Sequence, residues 1–187
     1  MRSNLPIVST DQPRTPPAER SSGFKVVLVY QDFEMGIRGK QFFNLIAKEA
    51  GMEREAQLTV WRFDFIWSES MAAELSLLAA EADVIIVAIR DLHCVPPQVR
   101  HWLERWTQGR KVPNGALVAV FDPEQGRHAK SSKVALLLRQ AAQQSGMEFF
   151  CCVGDENAKN DGLTAITRTA SSTASSFIHT LRPHPRG

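Results

Sequence analysis

The segment Val84-Ile85-Ile86-Val87-Ala88-Ile89, bounded by Asp83 and Arg90, holds six consecutive apolar residues, five of them β-branched. A strand with no polar face has to be covered on both sides, and that describes the centre of a parallel sheet between two layers of helices. The rest of the chain repeats the same alternation of short β-rich runs with helical periodicity. Lys25 to Tyr30, Ala116 to Phe121 and Glu148 to Val153 read as further strands. Between them, apolar residues recur at helical spacing: Phe43, Ile46, Ala47 and Ala50 up to Gly51, then Met71, Leu75, Leu78 and Ala82 after an N-cap at Ser68 or Ser70. Val99, Trp102, Leu103 and Trp106 follow Pro96-Pro97 and stop at Gly109, and Val134, Leu137, Leu138 and Ala141 stop at Gly146. A closing helix is expected on Ala170, Ala174, Phe177, Ile178 and Leu181. Trp102 and Trp106, spaced i and i+4 beside Val99 and Leu103, read as core packing in preference to a stacking platform for a base or flavin.

With 43% hydrophobic and 22% charged residues the chain can build one packed core, placed at residues 24–182. Residues 1–23, which include Pro6, Pro13, Pro16 and Pro17 and no apolar core, read as a disordered leader and not a secretory signal, and 183–187 as a frayed tail. A net charge of +2 gives no reason to expect nucleic acid or a membrane as partner. The longest apolar runs are far below the ~20 residues of a membrane span. Three cysteines, Cys94, Cys151 and Cys152, without metal-ligand spacing, suit a reducing compartment, so a cytoplasmic location is expected. Cys151 and Cys152 lie in an apolar run and read as small buried hydrophobes.

The second strand, Leu58 to Trp67, sets Trp61, Phe63, Phe65 and Trp67 on one face and Arg62 and Asp64 on the other, which suits an edge position. Five strands, five helices and an amphipathic second strand resemble the flavodoxin-like fold: a three-layer α/β domain whose five-stranded parallel sheet has the order 2-1-3-4-5. Asp83 to Gly146 carries a closer resemblance. Ala82-Asp83-Val84-Ile85-Ile86-Val87, Val95-Pro96-Pro97-Gln98-Val99-Arg100-His101-Trp102-Leu103-Glu104 and Gly115-Ala116-Leu117-Val118-Ala119-Val120 are similar to the middle of the NADPH-dependent FMN reductases. That resemblance implies FMN over the loops at Gln31 to Arg38 and Arg90 to Val95, and NAD(P)H oxidoreductase activity. The family surrounds the FMN phosphate with Ser, Thr, Gly and Asn, whereas this chain reads Gln31-Asp32-Phe33-Glu34-Met35-Gly36-Ile37-Arg38-Gly39-Lys40. A carboxylate ~4 Å from a phosphate charge costs about 1 to 4 kcal/mol per pair, so no FMN is expected, with the FMN oxidoreductase as the alternative. A further resemblance, to response-regulator receiver domains, rests on Asp32 after the first strand and Asp91 near the acceptor position. Asp122 stands where that family has Ser or Thr, and no Lys follows the fifth strand.

In a parallel α/β sheet ligands bind beyond the carboxyl ends of the strands, at the switch point between strands one and three. That rule selects Gln31, Asp32 and Glu34 after strand one, Arg90, Asp91 and His93 after strand three, and Asp122 and Glu124 after strand four; Arg38 joins the candidate ligand-binding residues as a cation able to offset the loop's carboxylates. Two readings of the carboxylates stand. Asp32, Asp91 and Asp122 form a hard-oxygen cation site, or Asp32 caps a helix, Asp91 is a loop residue and Asp122-Pro123 starts a turn. Gly36-Ile37-Arg38-Gly39-Lys40 resembles a fragment of a phosphate loop but lacks the following Ser or Thr. Gln125 to Lys133 is a basic stretch expected to open the fourth helix, with Ser131 or Ser132 as N-cap. The expectation is a flavodoxin-like module for a small ligand or a protein partner, in a signalling role.

Overall fold

The computed structural model describes residues 23–110, 112, 114–153, 166 and 168. The expected leader, closing helix and tail lie outside them. Five parallel strands form one sheet: β1 (Phe24–Tyr30), β2 (Ala56–Arg62), β3 (Val84–Ile89), β4 (Ala116–Phe121) and β5 (Glu148–Val153), in the order 2-1-3-4-5. The helices are α1 (Phe33–Glu49), α2 (Glu69–Glu81), α3 (Pro97–Gly109) and α4 (Lys133–Ser145). Every residue of β3 and β4 is buried, as a doubly covered strand requires. Val26, Leu28, Val84, Ile86 and Ala116 point to one side, where Met35, Phe42 and Ile46 of α1 meet them together with the fully buried, helical Ile166. Val27, Val29, Ile85, Val87 and Leu117 point to the other side, under α2, α3 and α4. This is the flavodoxin-like architecture, with β2 at an edge.

Local chemistry sets the element ends. Asp32 caps α1 by accepting from the Met35 N–H at 3.0 Å, and Ser132 caps α4 through Ala135 N at 3.0 Å. Gly146, at φ 70°, closes α4 in the left-handed conformation that glycine adopts without penalty. Trp102 and Trp106 lie in the core with ring centroids 6.0 Å apart, as their spacing predicts. Cys151 and Cys152 face opposite sides of β5, and burial pushes both thiols up, that of Cys152 to about 12.

Three expectations need correction. First, β2 ends at Arg62 and not at Trp67. Phe63–Trp67 turns into a 3₁₀ helix, because that turn puts Phe63 and Ile66 together in the core, while straight alternation would leave Ile66 on the polar face. Phe65 and Trp67 are consequently exposed. Second, α2 buries Ala72, Leu75, Ser76 and Ala79 and leaves Met71 exposed, so the stripe is rotated from the one expected. Small residues there let the helix approach the sheet, and the buried Ser76 hydroxyl donates to the Ala72 carbonyl at 2.7 Å. The Ser68 side chain meets the Ser70 hydroxyl and makes no helix-capping bond. Third, the basic stretch is not the start of α4: Pro123–Ser131 is a 3₁₀ segment kinked at Gly126, φ 51°.

Candidate functional site

The carboxyl ends of β1, β3 and β4 meet at one crevice, and the chain's own polar groups fill it. Immediately after β1, the Gln31 N–H donates to the Ala88 carbonyl at 3.0 Å, extending the β1–β3 ladder by one bond. Its side-chain oxygen accepts from the backbone N–H groups of Arg90 at 2.9 Å and Asp91 at 3.1 Å. Gln31 therefore fastens the loop after β3 to the end of β1.

Arg90 crosses the crevice. Its Nε lies 3.6 Å from Asp32 Oδ2 and 3.4 Å from Asp122 Oδ2, and its Nη2 donates to Glu34 Oε2. These partners raise the guanidinium's affinity for its proton, the Glu34 hydrogen bond most of all, followed by the charge of Asp32. Asp122 is 4% exposed and also accepts from the Glu124 N–H at 3.1 Å, so the turn at Asp122-Pro123 and the ion pair share one carboxylate. With one guanidinium against three carboxylates, the cluster carries a formal charge of 1 − 3 = −2.

Of the two readings of the carboxylates, the contacts are those of the local one: Asp32 caps α1, Asp91 serves its own loop and Asp122 starts the turn at Pro123. Asp32 and Asp122 converge, and the cationic group between them is the Arg90 guanidinium. Asp91 turns away into its own loop. Its Oδ1 accepts from His93 N at 2.7 Å and Cys94 N at 3.3 Å, and its Oδ2 accepts from the Cys94 thiol at 3.5 Å. Among the described residues no group of three or more metal-ligating side chains assembles. His93 is exposed and contributes its backbone N–H, while Arg38, one turn beyond Glu34 on α1, makes no ion pair among the described residues. The hydrogen bond to the Asp91 carboxylate raises the Cys94 thiol pKa, the opposite of what thiolate chemistry needs. The glycines of the Gly36–Lys40 stretch belong to helix packing and not to a phosphate loop. A Cβ at Gly36 would sit 2.8 Å from the Tyr30 ring, and one at Gly39 would run into the Leu28 side chain.

The Asp91 loop makes one pH prediction. The His93 N–H bond, aided by Cys94, holds the Asp91 carboxyl below its ordinary value of 3.8. A group whose folded pKa is depressed contributes stability that is present above the unfolded value and lost as pH falls through the folded one. Asp91→Asn should thus lower the melting temperature modestly at neutral pH, where the ionised carboxylate contributes, and the difference from the parent should shrink as the pH falls below about 4. Parallel acid melting curves for parent and variant would refute this account of the loop.

No family model and no curated protein matches the chain. Solved structures of similar fold include a short-chain flavodoxin associated with a non-canonical PDU bacterial microcompartment, 11% identical, covering 85% of this chain and 99% of that one, at a TM-score of 0.46. The two-electron reduced flavodoxin of Megasphaera elsdenii is 15% identical over 79% of this chain and 98% of that one, with a TM-score of 0.47. An apo NADH:FMN oxidoreductase is 12% identical over 87% and 97%, with a TM-score of 0.48. The class, a flavodoxin-like α/β domain, follows from strand order and helix placement. No helix among the described residues is long and apolar enough to cross a membrane.

Proposed function

We propose that this chain is a flavodoxin-like binding module whose strand-end crevice takes a small ligand or a protein partner and does not use FMN. The observation that carries this reading is the Arg90 bridge to Asp32, Glu34 and Asp122. A phosphate-binding turn offers free backbone N–H groups and a positive field at a helix N-terminus. Only Gln31 and Asp32 connect β1 to α1, and the first-turn N–H of Met35 is taken by the Asp32 side chain. Glu34 and Asp122 add further negative charge, and Arg90 is already paired with them. A phosphate dianion set among these groups meets a net repulsion of about 1 kcal/mol or more for each unpaired carboxylate at ~4 Å. The residues present do not fit the FMN phosphate.

The same surplus of negative charge favours neutral or cationic groups on whatever enters the crevice. Titrating the purified protein with FMN and following flavin fluorescence should give no saturable binding at micromolar concentrations. A protein that purifies yellow with stoichiometric flavin, or that quenches FMN with a micromolar Kd, overturns this reading in favour of an FMN-dependent NAD(P)H oxidoreductase.

A further inference from the structure

Strand β2 pairs with β1 on one side, and among the described residues nothing pairs with its other side. Its seven residues, Ala56-Gln57-Leu58-Thr59-Val60-Trp61-Arg62, contain no proline or glycine, and the one charge sits at the end. These are the features that stable proteins avoid at an open edge. The edge is also apolar on one face. Leu58 packs partly on the α1 side of the sheet, and Val60, which shares that face by the two-residue period, is 48% exposed.

We propose that this edge is closed by β2 of a second copy of the chain, running antiparallel about a two-fold axis at Thr59. The axis constrains the register strictly. A two-fold perpendicular to the sheet keeps each face on its own side, so opposed residues must share a face and their numbers must sum to an even value. Three central registers meet that condition. Centring on Leu58 sets Val60 against the small Ala56 and brings Arg54, in the turn before β2, toward Arg62 of the second copy at both ends. Centring on Val60 sets the apolar Leu58 against Arg62. Centring on Thr59 sets Leu58 against Val60 twice, pairing the two apolar side chains of the α1 face, and brings Arg54 at one end toward Asp64 of the second copy at the other. Asp64 already lies 2.6 Å from Arg62 of its own chain, so it would sit between two cations. Apolar pairing and charge complementarity therefore select the same register.

Sedimentation velocity of the full chain over a roughly hundredfold concentration range is expected to show a species of twice 20.9 kDa. Val60→Lys, at an exposed site, should be monomeric over the same range and melt where the parent does at concentrations too low for it to dimerise. Register is read separately. In a Cys94→Ser background, Thr59→Cys should form an intermolecular disulfide under mild oxidation, because residue 59 faces itself across the axis, within disulfide reach. Gln57→Cys, which would face Trp61, should not. A parent that is monomeric throughout overturns the proposal, whether the edge is covered by residues 1–22 or by a different protein. So does a dimer that survives Val60→Lys, or cross-linking as strong at 57 as at 59.

Discussion

Trp106→Ala is expected to lower the unfolding free energy by about 3 kcal/mol, the lower part of the range for truncating a buried tryptophan. Trp106 is 1% exposed and packs against Trp102, itself fully buried, with ring planes tilted by 44°. Removing the indole leaves a cavity between α3 and the sheet that close-packed neighbours can only partly fill. One effect pulls the other way. The Trp106 indole N–H finds no acceptor among the described residues, so the native side chain already carries a desolvation cost of about 1 kcal/mol or more that alanine relieves. Equilibrium urea unfolding measures the difference. A loss under about 1 kcal/mol would mean that the indole is not part of the core, and would revive the stacking-platform reading of the two tryptophans.

Arg110→Met is expected to cost about 1 to 3 kcal/mol, although it replaces a charged side chain by an apolar one of similar length. Arg110 joins three pieces of backbone. Its Nη1 donates to the carbonyls of Ala79 at 3.3 Å and Ala82 at 2.9 Å, at the end of α2, and its Nη2 donates to Asn114 at 2.6 Å, before β4. Ala79 and Ala82 are fully buried; the Ala79 carbonyl also accepts from the Ala82 N–H at 3.3 Å, so methionine would strand chiefly the Ala82 carbonyl. Burial pulls the guanidinium pKa down to about 10 while Asp83 holds it up, so the group stays charged at neutral pH. Methionine removes that desolvation cost, but it cannot donate, and the buried Ala82 carbonyl decides the sign. Gly115, at φ 119°, belongs to the same device: a Cβ there would meet Arg110 Nη2 at 2.5 Å and the Asp83 carbonyl at 2.7 Å. A neutral Arg110→Met in urea unfolding would show that water serves these carbonyls as well as the arginine does.

Much of the sheet was legible in the sequence because its central strands β3 and β4 are written as uninterrupted apolar runs. Val84 to Ile89, Ala116 to Phe121 and Glu148 to Val153 have the bounds that their composition predicts. A doubly covered strand tolerates no polar residue, so its ends are marked by the first charge. Where one face is open the pattern lost its hold. The alternation through Phe63, Phe65 and Trp67 looks the same whether the chain runs straight or turns, and burial of Ile66 under α2 and α3 decided for the turn.

The site divides along the same line. That Gln31, Asp32, Arg90 and Asp122 stand at strand ends follows from sequence order alone, because a parallel sheet brings the carboxyl ends of its strands to one edge. Which of them meet does not follow, since side chains with similar positions along the chain have different directions in space. Asp32 and Asp122 turn toward Arg90, and Asp91, its neighbour in sequence, turns back to bind His93 and Cys94 in its own loop. The partnership of Glu34 with Arg90 spans β1 and β3 and has no local signal. Nor has Arg110, whose three acceptors come from α2 and the approach to β4. Hydrophobic periodicity is a local property and was sufficient for the layers, while the strand order came from the resemblance to the flavodoxin-like fold. Ion pairs and buried carbonyls are matched only when separate segments are brought within 3 to 4 Å of each other, and the tertiary structure alone decides which segments those are.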